Sequence, residues 1–234
     1  MKKRRPFARI ALGLLLVAAA IVVLWLGMVP ARYLPFLRVD LADPTGLFLD
    51  LRLAALRSDR QMCAEVLTRP HIVATPIADK PFRNDCGWRN AVRVQEVGGA
   101  RLPAAQLTCE TAAALALWMT HEVQPLAEAI LGSRVVSARQ MGTYACRDII
   151  GNAEWRRMRS QHSRAHAIDI GGFRLADGRT ISLTRHWNKG SEGVFLRRVH
   201  ARACRYFRVA LSPEFNAAHR DHFHFDRGPL WTCR

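Results

Sequence analysis

The sequence predicts an α+β domain, with N-terminal helices followed by a mostly antiparallel sheet, preceded by one membrane-crossing helix. Three observations carry this. An uncharged run covers residues 10–29 behind a basic flank of Lys2, Lys3, Arg4, Arg5 and Arg9. The longest helical pattern, 110–131, lies in the first half of the rest of the chain. After it, alternating apolar residues and an Asp177-Gly178 turn signal strands.

In chain order, roughly 20 apolar residues suffice for a helix to cross the hydrocarbon core. The basic flank should remain in the cytoplasm, placing the C-terminal part outside it as a single-pass inner-membrane protein with a periplasmic domain. A cleaved signal peptide is the competing reading, with Val29-Pro30-Ala31 as a poor cleavage site. Residues 31–44, with Pro35 and Pro44, read as a linker, and 45–234 as one domain. Within it, 47–56 and 60–67 have helical patterns, whereas 70–81, broken by Pro70, Pro76 and Pro81, reads as irregular. A strand at Ala91, Val92 and Val94 should end at Gly98-Gly99. The 110–131 helix has Thr108 as N-cap and Gly132 as its stop, and Pro125 should kink it. Strands are expected at 134–139, 165–173, 180–184, 207–211 and 222–226, with a helix at 192–205 presenting Phe195, Val199 and Ala203 on one face.

Of 35 Lys and Arg residues five lie in the first thirty, and none of the 19 acidic residues do, so the remainder carries 30 − 19 = +11. Nearly all of that charge is arginine, which favours anionic partners. Outside the membrane, nucleic acid is not expected; peptidoglycan stem peptides or other anionic envelope material are. A codon bias toward arginine would give the same composition. The six cysteines (63, 86, 109, 146, 204 and 233) form no CxxC pair. In an exported domain an even count implies three disulfides, with 15 possible pairings. The expected arrangement joins Cys63 to Cys86 or Cys109 and sets Cys204 or Cys233 opposite Cys146.

Four of the nine histidines fall in two short segments. Ser160-Gln161-His162-Ser163-Arg164-Ala165-His166-Ala167-Ile168-Asp169 offers a histidine and a carboxylate seven residues apart. In His219-Arg220-Asp221-His222-Phe223-His224-Phe225-Asp226, His222 and His224 should share one face of a strand and Phe223 and Phe225 the other. Two histidines and an aspartate make a three-ligand zinc set with a fourth position open. Taken singly, a His-x-His on a strand is more often a surface pair, and a lone His-to-Asp spacing is weaker still. His166, an odd number of residues from Asp169, should point away. His121 reads as a helix-face histidine, and Arg156, Arg157, Arg159 and Arg164 as a solvated face or a cationic rim.

The His162…Asp169…His222-x-His224 pattern resembles the LAS zinc metallopeptidases, the group of D-Ala-D-Ala peptidases, murein endopeptidases and the hedgehog domain. The wider stretch is more similar still to the bacterial extensin-like C-terminal domain family. It includes Gly142-Thr143-Tyr144-Ala145-Cys146-Arg147, 160–169, Gly172-Phe173-Arg174-Leu175-Ala176-Asp177-Gly178-Arg179 and Asp221-His222-Phe223-His224-Phe225-Asp226. The chain has no Ser-Pro-rich repeat of the plant-wall kind. The resemblance implies an LAS/hedgehog-like fold carrying Zn2+ on His162, Asp169 and His224. It also implies His222 and His219 as catalytic histidines, Arg147 as the residue facing a substrate carboxylate, and a peptidase acting on cell-wall peptides. Ala165 stands where many LAS peptidases have glycine. The hedgehog domain shows that the same frame can bind instead of cut.

Overall fold

The structure is a computed structural model describing residues 5–25, 33–68, 70–151 and 154–234. Helix α1, Arg5–Trp25, contains the first part of the uncharged run, and its Ile10, Leu12, Leu14, Leu15, Leu16 and Val17 are exposed. Among the described residues no helix is long and apolar enough to cross a membrane. The end of the expected span, 26–29, and the candidate cleavage residues lie outside the described residues.

The segment expected as a linker contributes to the core: Leu37, Val39 and Leu41 are buried. Two short helices follow, α2 (Leu49–Ala55) and α3 (Arg60–Val66), the second capped by the Asp59 carboxylate accepting from Met62 N–H. The 70–81 stretch is not irregular throughout, because β1 (Ile72–Pro76) and the start of β2 (Lys80–Arg83) occupy it. β1 ends the order of the main sheet, where a terminal proline removes no ladder donor. β3 (Cys86–Trp88) pairs with β2 in a separate two-stranded hairpin. β4 (Ala91–Val97) turns through Gly98-Gly99, both at positive φ, into β5 (Ala100–Thr108). β5 has no counterpart among the expected strands, and Pro103 interrupts its alternation. Helices therefore do not all precede the sheet.

The long helix forms as α4 (Cys109–Trp118), a π-helical segment (Met119–Val123) and α5 (Gln124–Leu131). The break lies just before Pro125, which has no N–H to donate. Gly132 ends α5 at φ 67°, as expected. Thr108 sits at the N-cap position, but its hydroxyl meets the Thr111 hydroxyl instead of a helix N–H. Then come β6 (Val135–Gly142), β7 (Ala167–Leu175), β8 (Thr180–Ser182), α6 (Leu183–His186), α7 (Gly190–Ala203), β9 (Val209–Leu211), β10 (Phe223–Asp226) and β11 (Thr232–Cys233).

The main sheet runs β1-β4-β5-β6-β7-β10-β9-β11, with β8 also paired to β7. It is mostly antiparallel, but β5–β6 and β9–β11 are parallel. Its inner face packs on the helices. Trp118 of α4 meets Phe173, Phe207 and Phe225 at ring centroids 5.0–6.5 Å apart, and Phe195, Val199 and Ala203 of α7 are fully buried. Each such aromatic contact contributes about 0.5–1.5 kcal/mol beyond its area burial.

All six cysteines are paired, as Cys63–Cys109, Cys86–Cys146 and Cys204–Cys233. The expectation for Cys63 holds. The one for Cys146 does not: it pairs with Cys86, because the β2–β3 hairpin lies against the loop after β6, while Cys204 and Cys233 join the end of α7 to β11. One irregularity in β7 matters for the site. Arg139 is opposite Gly172 and Gln140 opposite Ile170, so Gly171 is an extra residue, a bulge that changes which side chains face inward. Before it Ile168 and Ile170 are buried in the core; after it Phe173 is.

Candidate metal centre

His162 lies in a 3-10 turn (Gln161–Arg164) whose entry is set by the Ser160 hydroxyl accepting from His162 N–H. The turn closes at Ala165 with φ 54°, the left-handed region that glycine enters most readily. Asp169 and His224 are register partners on β7 and β10, on the face opposite the buried Ile168, Ile170, Phe223 and Phe225.

Three potential ligand atoms converge. Asp169 Oδ1 is 3.2 Å from His162 Nε2 and 3.0 Å from His224 Nδ1, and the two ring nitrogens are 3.2 Å apart. His162 and Asp169 are buried. The other nitrogen of His224, Nε2, lies 3.0 Å from Asp226 Oδ2, to which it donates. That bond leaves the Nδ1 lone pair facing the Asp169 carboxylate oxygen. Two acceptors this close require a cation between them, either a proton or a metal ion. Donors about 2.0–2.2 Å from a tetrahedral zinc would lie roughly 3.3–3.6 Å apart, so a small adjustment of the three side chains accommodates the ion. Asp226 also accepts from Gly228 N–H, so the outer carboxylate is itself held.

The electrostatics agree. Burial works to raise the Asp169 carboxyl, but hydrogen bonds from His162 and His224 overcome it and hold it well below the usual carboxylate range. Burial works to lower His224, but its bonds to Asp169 and Asp226 prevail and push it up to about 9.

His222 does not stand on the strand as expected; it sits in the turn before β10, with its N–H bonded to His219 O. It reaches the centre all the same, with Nε2 3.7 Å from Asp169 Oδ1. Asp221 Oδ1 accepts from its Nδ1 at 2.8 Å, which aims Nε2 at the centre. His219 donates Nδ1–H to Asn216 Oδ1 at 2.7 Å, and its ring lies 5.3 Å from that of His222 and 5.7 Å from that of His224. Burial, reinforced by those two neighbours, lowers His219 to about 4, so it is neutral at pH 7. Arg147 lines the same cleft, of about 250 Å³, on the loop tied by Cys86–Cys146. Its lining also includes the apolar Ile149, Trp155, Met158, Phe215 and Leu230.

All six expected site residues thus line one cleft. Sequence reasoning missed Asp221 and Asp226. The available signal was an acid directly beside or two residues beyond a candidate histidine, a spacing too common to single out alone. His166 points elsewhere, as expected, and burial lowers it to about 4 beside Glu110 and Arg57. His121 bonds Leu41 O. Of the four flanking arginines Arg159 lines the cleft, paired to Asp148 at 2.8 Å, and Arg164 lies over Phe82.

Residues 61–234 match the family model described as Extensin-like protein C-terminus, and the chain belongs to that family. No curated protein and no solved structure matches it.

Proposed function

We propose that this protein is a zinc-dependent peptidase of the LAS type, held outside the cytoplasm by its N-terminal helix, that hydrolyses an amide bond in peptidoglycan peptides. One observation carries the reading: His162 Nε2, Asp169 Oδ1 and His224 Nδ1 meet beside a fourth, separately oriented histidine, His222. Three such ligands with one open position are the pattern of catalytic zinc. When bound, zinc would polarise the scissile carbonyl and make water nucleophilic at neutral pH.

The chain's own groups have distinct work. Asp226 holds His224, and Asp221 holds His222. His222 Nε2 takes the proton of the attacking water as general base and returns it to the departing amine. His219, neutral and fixed by Asn216, steadies charge developing beside His222. Arg147 pairs with a substrate carboxylate through its guanidinium. The apolar lining excludes water from the reacting bond.

The test is metal analysis of the purified protein followed by digestion of cell-wall sacculi. The reading expects about one zinc per chain and release of new amines that stops on chelation. A zinc-loaded protein that binds the wall but releases no amine over long incubation would replace it with a non-catalytic, zinc-stabilised binding domain.

A further inference from the structure

The outer face of the main sheet carries a second feature, away from the metal cleft. Arg93 on β4, Arg101 on β5, Arg139 on β6, Arg174 on β7 and Arg185 on α6 are all exposed. They line two adjoining recesses of about 690 and 510 Å³ that share Ser137 and Arg174. Register fixes the arrangement: Arg101 is opposite Ser137, and Ser137 opposite Arg174. With strands about 4.8 Å apart, the two guanidinium-bearing positions are roughly 10 Å from each other. Small residues form the floor. At Gly171 a side chain would strike Arg139 and Met141, which lie across the strand there.

No carboxylate lines either recess. Glu96 is opposite Arg101 in register, yet among the described residues none of the five arginines forms an ion pair. Unpaired cations gathered in a trough constitute an anion-binding surface. A charged surface that shares its sheet face with the cleft suits an anionic polymer long enough to reach both. The Gly171 bulge makes this trough continuous with the metal face: Asp169 before it and Arg174 after it project from the same side of β7. Five residues of strand separate them, on the order of 15 Å.

We propose that the arginine trough binds the carboxylates of the same peptidoglycan polymer whose peptides the cleft cuts, so that the wall is held along the sheet while one amide bond sits at the metal centre. This rests on the peptidase reading for its choice of polymer, but its test does not require hydrolysis. The full-length chain and an R101E/R174E variant are compared for co-sedimentation with insoluble peptidoglycan and for turnover of a small soluble wall peptide. Melting curves establish that the variant is folded, and R101K/R174K keeps the charge. The expected result is a loss of sedimentation by about tenfold or more in the Glu variant, partial or no loss in the Lys variant, and unchanged soluble turnover. Peptidoglycan with its carboxylates amidated should lose binding to the parent by a similar factor. Undiminished sedimentation of the folded Glu variant, or tighter binding of the trough to anionic phospholipid vesicles than to peptidoglycan, overturns the proposal. If neither protein cuts the soluble peptide, the peptidase reading fails while sedimentation still decides the trough.

Discussion

The proposed zinc ion would compete with a proton for one nitrogen in this site, and the competition has a calculable size. His224 Nδ1 faces Asp169, and His224 Nε2 faces Asp226. Without metal, this pair of carboxylates holds the imidazole protonated up to about pH 9. Zinc requires the neutral ring. At pH 7, about two units below that value, roughly 1% of the metal-free protein has the lone pair free, so zinc affinity should be about 100-fold weaker than its plateau above pH 9. The affinity should climb about tenfold per pH unit between 6.5 and 9, and close to one proton should leave per zinc bound below pH 8. Titration calorimetry in two buffers of different ionisation enthalpy counts the protons, and chelator competition gives the slope. Asp226→Asn keeps an acceptor for Nε2–H but removes one charge, so the slope should flatten at a lower pH. An affinity flat from pH 6.5 to 8.5, with no proton released, would refute the tautomer argument and with it the role of Asp226.

Other outcomes follow from the same geometry. His222→Ala should keep zinc and melting temperature nearly intact while hydrolysis falls about 10²–10⁴-fold, whereas His224→Ala should lose zinc and activity together; metal content and turnover distinguish them. In the metal-free domain the raised His224 contributes stability that is fully present below about pH 6.5 and lost as pH rises toward 9. The lowered His166 contributes stability present above about 6.5 and lost as pH falls toward 4. The melting temperature under chelation should therefore peak near pH 6.5, with His166→Asn removing its share of an acid limb to which the equally lowered His219 also contributes, and zinc removing the alkaline limb. Reducing Cys86–Cys146, which holds the Arg147 loop, should cost about 2–5 kcal/mol in chemical denaturation, and unreduced protein should titrate no free thiol.

The sequence made the cleft legible because its chemistry is local. His162 and Asp169 are close in the chain, His222 and His224 closer, and the alternation of Phe223 and Phe225 shows which face of β10 is buried. Long-range pairing was not legible in the same way. Nothing local distinguishes Cys86 from Cys233 as the partner of Cys146, since that choice depends on where a two-stranded hairpin packs. Pro103 hid β5, and Pro70, Pro76 and Pro81 hid β1, because proline is counted against a strand before its place in the sheet is known. Asp221 and Asp226 carry no local signal of their part, because it lies in holding the second ring nitrogens of His222 and His224.

The relation between the metal centre and the arginine trough shows where period-two reasoning fails. Asp169 and Arg174 are five residues apart, and on a regular strand an odd separation sends two side chains to opposite faces. On that reading Arg174 would point into the core, against Phe195 and Trp118, where an unpaired guanidinium is too costly to bury. The chain avoids this by placing Gly171-Gly172 between them. The extra residue at Gly171 shifts the alternation by one, so Phe173 turns inward and Arg174 outward without moving Asp169. A glycine pair inside a strand is the available sequence signal for such a bulge. Replacing Gly171 by a larger residue would therefore test more than local packing. A Val side chain there would displace the Met141 sulfur and the Arg139 guanidinium, the flexible ends of both side chains, so peptidoglycan sedimentation should fall while zinc content, read on the other side of the bulge, is unchanged. Retained sedimentation in a folded Gly171→Val protein would show that Arg139 and Met141 need not cross the strand, and that the trough is not organised by the bulge.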